Sequence, residues 1–158
     1  MKAGPVVTIK KELKELSNEE LTELCLRLSK FKKENKELLT YLLFESQNEE
    51  DYILSIKNFV DEQFEIINRD SYFYIKKSVR KILRLIKKFA RYSLKKETEV
   101  ELLLYFCQKL KEFSPSIKNN VTLTNIFERQ LLLAKKIIST LHEDLQYDYN
   151  LVIDELND

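Results

Sequence analysis

The chain contains a single glycine, Gly4, and only two prolines, Pro5 and Pro115, among its 158 residues. Phosphate-cradling loops, the sharp turns that carry nucleophilic serines and dinucleotide-binding folds all depend on glycine, for a positive φ angle or for close approach of the backbone to a ligand. A chain without glycine after position 4 excludes these sites. Because so few residues that break helices remain, the sequence strongly favours helix.

Apolar residues recur with helical spacing along most of the chain, and no segment alternates with a period of two for long enough to indicate a strand. Three Ser/Thr-x-x-Glu boxes, at 17–20, 46–49 and 98–101, predict helix starts. We therefore predict an all-α fold of six to eight antiparallel helices, with a flexible N-terminus over residues 1–7. The predicted helices cover residues 8–16, 18–31, 34–45, 49–68, 71–94, 98–113, a stretch through 127–145 and a final segment through 149–156.

Paired in order, these helices make hairpins of roughly 30, 45 and 45 residues, which suits a short stack of αα-hairpins of the HEAT or armadillo kind. No motif recurs at a fixed period, so a compact helical bundle is an equal alternative. The length favours one helical domain over residues 1–158. Apolar runs at 102–106 and 131–133 cover more than one helix face, which requires either a deep core or a partner.

Charged residues make up 34% of the chain and apolar residues 44%. This composition is too apolar for disorder and too often interrupted by charge for a membrane span of about 20 residues. A polar stretch at 8–12 stands where a secretory signal would be apolar, so we expect a cytoplasmic protein. Cys25 and Cys107 each fall beside leucines on a predicted apolar helix face, and both thiols are expected to be buried.

The sequence lacks the residues that most catalytic sites require. His142 is the only histidine and the two cysteines are far apart, which argues against zinc sites, Cys/His dyads and Ser-His-Asp triads, and we predict no cofactor. His142 itself is expected at the surface near a helix end. Carboxylate pairs of the kind that bind magnesium in helical nucleotide hydrolases do occur, although the apolar stripes turn the first and last pairs outward. They are Glu20 with Glu23, Glu34 with Glu37, and Asp61 with Glu65.

Three stretches near the N-terminus resemble the start of a family of small all-helical bacterial proteins known only as a domain of unknown function. They are the string Lys-Glu-Leu-Lys-Glu-Leu-Ser-Asn-Glu-Glu-Leu at 11–21, the Leu-x-x-Leu-Leu run at 39–43 and Asn-Glu-Glu at 48–50. The resemblance covers about the first 65 residues and implies an all-helical fold. That family carries no assigned catalytic residues, so the resemblance implies nothing chemical.

The net charge of +1 conceals a strong segregation of charge along the chain. Residues 45–70 hold eight acidic residues against two basic ones, residues 71–96 hold ten basic residues and no acid, and residues 137–158 hold six acids and no Lys or Arg. On an ideal helix, eight of the basic residues fall within an arc of about 140°, opposite the apolar stripe. This set, called the basic ridge below, is Lys76, Lys77, Arg80, Lys81, Arg84, Lys87, Lys88 and Arg91.

Three interpretations of the basic ridge stay open. The acidic helix at 49–68 and the acidic C-terminus can lie beside the ridge and compensate it, in which case deletion of residues 146–158 would uncover it. The ridge can instead bind the phosphates of nucleic acid or of an anionic membrane, or an acidic protein. Because no aromatic, Asn or Gln is interleaved with the ridge, any binding of nucleic acid is expected to be unspecific.

The sequence thus supports three hypotheses about function. The first is a non-enzymatic helical scaffold or protein-interaction module, with a protein partner or self-association. The second is unspecific phosphate binding through the helix at 71–94. The third is a nucleotide hydrolase that uses a divalent metal held by carboxylates.

Overall fold

The computed structural model describes residues 1–158, and it contains helices and connecting segments but no β-strand. The predicted all-α fold is confirmed. The eight α-helices are α1 (Val6–Lys14), α2 (Asn18–Phe31), α3 (Lys33–Thr40), α4 (Glu49–Glu65), α5 (Tyr72–Ser93), α6 (Lys96–Glu112), α7 (Val121–Ile138) and α8 (Glu143–Asn157). A π-helical turn (Tyr41–Glu45) follows α3, and a 3-10 turn (Ile117–Asn119) precedes α7.

Only one of the three predicted capping boxes begins a helix. Ser17 and Glu20 cap α2 reciprocally, as predicted. The helix α4 is capped by Asn48, whose side chain accepts from the backbone N–H of Asp51. Thr98 lies two residues inside α6, where it is buried and donates a hydrogen bond to Glu49, so it starts no helix.

Other helix ends also differ from the prediction. The first helix begins at Val6, within the segment expected to be flexible, because Pro5 has the φ of −60° that suits the residue before a helix. The helix α7 stops at Ile138 rather than running through 145. The hydroxyls of Ser139 and Thr140 donate to carbonyl groups of the last turn of α7, which satisfies groups that a longer helix would have used.

With no glycine available, a leucine takes the left-handed position that ends α5. Leu94 has φ 59° and ψ 6°, and its N–H bonds to the carbonyl of Ala90. Its side chain is 85% exposed, so the packing of Leu94 does little to offset the strain of a left-handed backbone.

The chain divides into two compact units, Met1–Phe44 and Glu45–Asp158, which we call the N-terminal and C-terminal units. The single domain expected from the length stays a prediction. In the N-terminal unit α2 packs against α3, and the side-chain amide of Asn35 donates to the carbonyl of Leu28 across the hairpin at 2.8 Å. Ser29 and Tyr41 are the only buried side chains of this unit.

In the C-terminal unit the helices form two rows. One row consists of α4, α6 and α8, in which α6 packs against both neighbours. The other consists of α5, which packs on α4 and α6, and α7, which packs on α6 and α8. Successive helices of the first row begin at Glu49, Lys96 and Glu143, 47 residues apart. This is a short stack of αα-hairpins, one of the two architectures that the sequence left open.

Polar contacts along the first row join residues 44 positions apart. Lys57 Nζ on α4 lies 3.1 Å from Glu101 Oε2 on α6. The Tyr105 hydroxyl donates to Asp61 at 2.7 Å, and Lys111 Nζ donates to the carbonyl of Glu155 at 2.7 Å. A constant separation means that each helix of the row lies in the same register on the next.

The central position of α6 explains the apolar run at 102–106. All of its residues except Tyr105 are buried, because the helix contacts neighbours on several sides. The run therefore forms the core and is no reason to expect a partner. In the run at 131–133, Leu131 is buried while Leu132 is 69% exposed.

Candidate functional site

The basic ridge lies on one face of α5, and the opposite face fills the core. Ile75, Val79, Ile82 and Ile86 recur at i, i+4, i+7 and i+11 and are at most 1% exposed. This burial fixes the helix and turns the lysines and arginines outward. The exposed members of the ridge are Lys77, Arg80, Lys81, Arg84 and Arg91, and the half-buried members are Lys76, Lys87 and Lys88.

The acidic segments do not compensate the ridge by ion pairing. Seven of the eight ridge residues make no ion pair. The eighth, Lys88, has an interaction partner, and its Nζ lies 5.3 Å from the centre of the Phe89 ring. The acidic C-terminal helix α8 packs on α6 and α7, with Ile153 and Leu156 buried there. The interpretation in which the C-terminal tail covers the ridge is therefore wrong for its exposed residues.

Two acids of α4, Glu49 and Asp61, are held by side chains at the end of α5, just before α6 and on α6. Glu49 accepts hydrogen bonds from Ser93 and Thr98 and pairs with Lys95 at 3.2 Å. Asp61 accepts from the Tyr105 hydroxyl and lies 2.9 Å from Lys109 Nζ. The segregation of charge along the chain thus becomes a segregation between rows, since α4 and α8 are acidic and α5 is basic.

Three side chains along the first row have pKa values that are shifted by their surroundings. Burial raises the pKa of Asp61, but the hydrogen bonds from Tyr105 and Lys109 and the charge of Lys109 outweigh burial, so the pKa lies below its ordinary value. Burial and the hydrogen bond to Asp61 raise the pKa of Tyr105 to about 12. Burial, followed by the charges of Glu101 and Glu97, raises the pKa of Tyr149 to about 12 as well. Both tyrosines are therefore neutral hydrogen-bonding groups at ordinary pH.

An aromatic pair that is not among the residues predicted from the sequence stands at the N-terminal end of the basic ridge. Phe73 is 67% exposed and Tyr74 is 47% exposed, with ring centres 5.4 Å apart and planes at 79°. Phe73 also borders an open concavity on α5, of about 670 Å³. The sequence does indicate the position of this ring, because Phe73 lies four residues before Lys77 and so shares its side of the helix. The concavity is lined by Phe73, Lys76, Lys77, Arg80, Leu83 and Arg84.

A second candidate surface is the apolar face of α2 and α3 in the N-terminal unit. Leu28 is 53% exposed, Phe31 77% and Leu38 37%. A small groove of about 200 Å³ runs between the two helices. It is lined by Cys25, Leu28, Ser29, Asn35, Leu38, Leu39 and Leu42. A contiguous set of exposed leucines marks an interaction surface more often than a solvated one.

The two cysteines differ from each other. Cys107 is fully buried, as predicted, and burial raises the pKa of its thiol to about 12. Cys25 is exposed, against the prediction. It lies on the apolar side of α2, as its leucine neighbours indicated, where it lines the open groove between α2 and α3.

Groups suited to catalysis are dispersed or already engaged. No three His, Cys, Asp or Glu side chains lie where they could hold a metal ion. Of the predicted carboxylate pairs, Glu20 caps α2, Glu37 pairs with Lys33 at 3.6 Å and Asp61 is held by α6. His142 is 73% exposed, as predicted, and its Nδ1 caps α8 by accepting from the N–H of Asp144.

Three kinds of comparison with known proteins return no match for the chain. No family model, curated protein or solved structure is similar to it. The resemblance of residues 1–65 to a helical family of unknown function stays a prediction. None of the helices combines the length and the apolar character needed to cross a bilayer.

Proposed function

We propose that the chain is a non-enzymatic interaction module that pairs with a second copy of itself through the apolar face of α2 and α3. The observation that carries the proposal is the exposure of this face, which includes Leu28, Phe31 and Leu38. Amphipathic helices that leave most of their apolar side chains exposed gain stability when a similar surface covers them.

The charges of α2 support a second copy as the occupant. Its N-terminal half carries Glu19, Glu20 and Glu23, and its C-terminal half carries Arg27 and Lys30. When two such helices lie antiparallel about a twofold axis, the acidic half of each lies beside the basic half of the other. The same helix placed parallel to its copy would bring like charges together.

Light scattering combined with sedimentation equilibrium tests the proposal on the full-length protein. We expect a dimer that Leu28→Glu together with Phe31→Glu converts to a monomer, because both carboxylates would be buried in the interface without partners. Leu132→Glu is the matched control, since Leu132 is 69% exposed on α7 and lies outside the face. A parent protein that is monomeric at every concentration, or a control that dissociates equally, would contradict the proposal.

A charge exchange tests the antiparallel orientation separately. Glu20 and Arg27 lie seven residues apart and so on one side of α2, beside the apolar face. Glu20→Arg alone and Arg27→Glu alone each place like charges together and should weaken the dimer. The double exchange restores opposite charges and should recover the affinity. If each single variant leaves the dissociation constant unchanged, the orientation is wrong even where the dimer itself forms.

A further inference from the structure

Independently of the pairing proposed above, we infer that the basic ridge with the aromatic pair Phe73–Tyr74 is a binding site for single-stranded nucleic acid. The site takes phosphates along α5 and unpaired bases at its N-terminal end. The argument rests on the charge of the ridge, its spacing and the aromatic rings that share its face.

The ridge carries charge that the protein leaves available for a ligand. Seven of its residues have no carboxylate partner, and the acidic helices α4 and α8 belong to the other row of the stack. Binding of a polyanion to an array of cations without counter-charges is favourable, because it releases the counterions that are condensed on the polyanion.

The spacing of the ridge suits a chain of phosphates. From Lys76 to Arg91 the ridge extends about 22 Å along the helix, with one or two cations in each turn of about 5 Å. Successive negative charges along a strand can therefore each meet a cation without bending the helix. An isolated anion would use only one or two of these residues, whereas a polymer uses all of them.

The aromatic pair favours a single strand over a duplex. Phe73 is 67% exposed and lies at the edge of the concavity that Lys77, Arg80 and Arg84 also line. An exposed ring beside cations is the arrangement on which unpaired bases stack while their phosphates bind alongside. No Asn or Gln lies on the ridge to read base edges, so little sequence preference is expected.

A membrane surface fits the same ridge less well. A helix that lies on a bilayer inserts its apolar side among the lipids. The apolar side of α5 is committed to the core, where Ile75 and Val79 are completely buried. Only the cationic side is left, and it carries no apolar stripe to insert.

Fluorescence anisotropy with a labelled oligothymidylate and the full-length protein tests the inference. Wild-type protein should bind at low salt, and the logarithm of the affinity should fall with the logarithm of salt with a slope near −5 if seven cations each contribute about 0.7. Lys77→Glu with Arg84→Glu should weaken binding at least tenfold and make the slope shallower by about 1.4. Lys10→Glu with Lys14→Glu on α1 changes the net charge equally and should leave the affinity within about twofold.

The aromatic contribution has its own measurement. Phe73→Ala should weaken binding of the single strand by about tenfold and leave binding of a duplex of the same length nearly unchanged. Equal losses for both, or no loss for either, would remove the preference for single strands. All variants lie on exposed positions, and circular dichroism verifies that each is folded.

Three outcomes would overturn the inference as a whole. The first is no binding of the oligonucleotide by wild-type protein at low salt. The second is an equal loss in the α1 control, which would make the binding a property of net charge. The third is tighter binding of polyglutamate or of phosphatidylserine vesicles than of the oligonucleotide, which would assign the ridge to an acidic protein or to a membrane.

Discussion

The N-terminal and C-terminal units are built from helices with similar apolar stripes, but only the C-terminal unit encloses a core. Among its fully buried side chains are Phe106, Leu110 and Leu123, each at 0% exposure. In the N-terminal unit Tyr41 is the one buried apolar side chain, at 4%. An apolar stripe therefore predicts a helix in both units, but it does not say whether another part of the same chain covers that stripe.

The two units also differ in how their polar side chains are used. In the N-terminal unit the side-chain amide of Asn35 donates to the carbonyl of Leu28, only seven residues away. In the C-terminal unit polar contacts connect neighbouring helices across 44 residues, as between Asp61 and Tyr105. Local contacts stabilise a single helix or hairpin, whereas contacts between helices stabilise the stack as a cooperative unit.

Matched truncations in the two units should produce the largest difference. Phe106→Ala removes a fully buried ring and should lower the free energy of unfolding by about 3–5 kcal/mol. Leu28→Ala, at a position 53% exposed, should change it by less than about 0.5 kcal/mol when the protein is dilute enough to be monomeric. Urea unfolding followed by circular dichroism measures both, and a comparable loss for the two variants would mean that the units do not differ in this way.

High pH should weaken the contacts between helices in the C-terminal unit. The folded-state pKa of Tyr105 is raised to about 12 from 10, so the neutral phenol stabilises the folded protein fully below pH 10 and this contribution is lost as the pH rises through about 12. After a discount for solvent screening, the loss is roughly 1–2 kcal/mol.

Tyr105→Phe isolates this contribution from the deprotonation of lysines over the same range. The variant should be less stable than the parent at neutral pH, and the difference between them should shrink as the pH approaches 12. Titration of tyrosinate absorbance should show Tyr105 and Tyr149 among the groups that ionise late, and Tyr105→Phe should remove one late group. A difference in stability that does not change with pH would contradict the assignment.

Much of this structure could be predicted from the sequence because helix formation depends on local spacing. The stripe of Ile75, Val79, Ile82 and Ile86 predicts both the helix α5 and its buried side, and the basic ridge follows as the opposite face. The arrangement of the helices in two rows could not be predicted from local spacing. Its register is set by contacts 44 residues apart, such as Lys57 with Glu101, which leave no repeated motif in the sequence.

The candidate surfaces were predictable in part. The basic ridge was found from its charges, but its lack of compensation depends on the row in which α4 and α8 lie, which is a tertiary property. The exposure of Cys25 was mispredicted for the same reason, since leucine neighbours identify a face without identifying what covers it. Phe73 is the residue that the charges alone do not identify, although its position four residues before Lys77 places it on the same side of the helix.

The helix caps give the smallest and most direct comparison between the units. Ser17 accepts a hydrogen bond from the N–H of Glu20 at 3.2 Å, and Asn120 accepts one from the N–H of Leu123 at 3.1 Å. Alanine at either position removes one cap, which is worth about 1 kcal/mol to its helix. Because α7 belongs to the cooperative stack, Asn120→Ala should lower the urea midpoint of the whole unit. Ser17→Ala should reduce the helical signal of α2 at low temperature without moving that midpoint, and a shift of the same size for both variants would mean that α2 unfolds together with the stack.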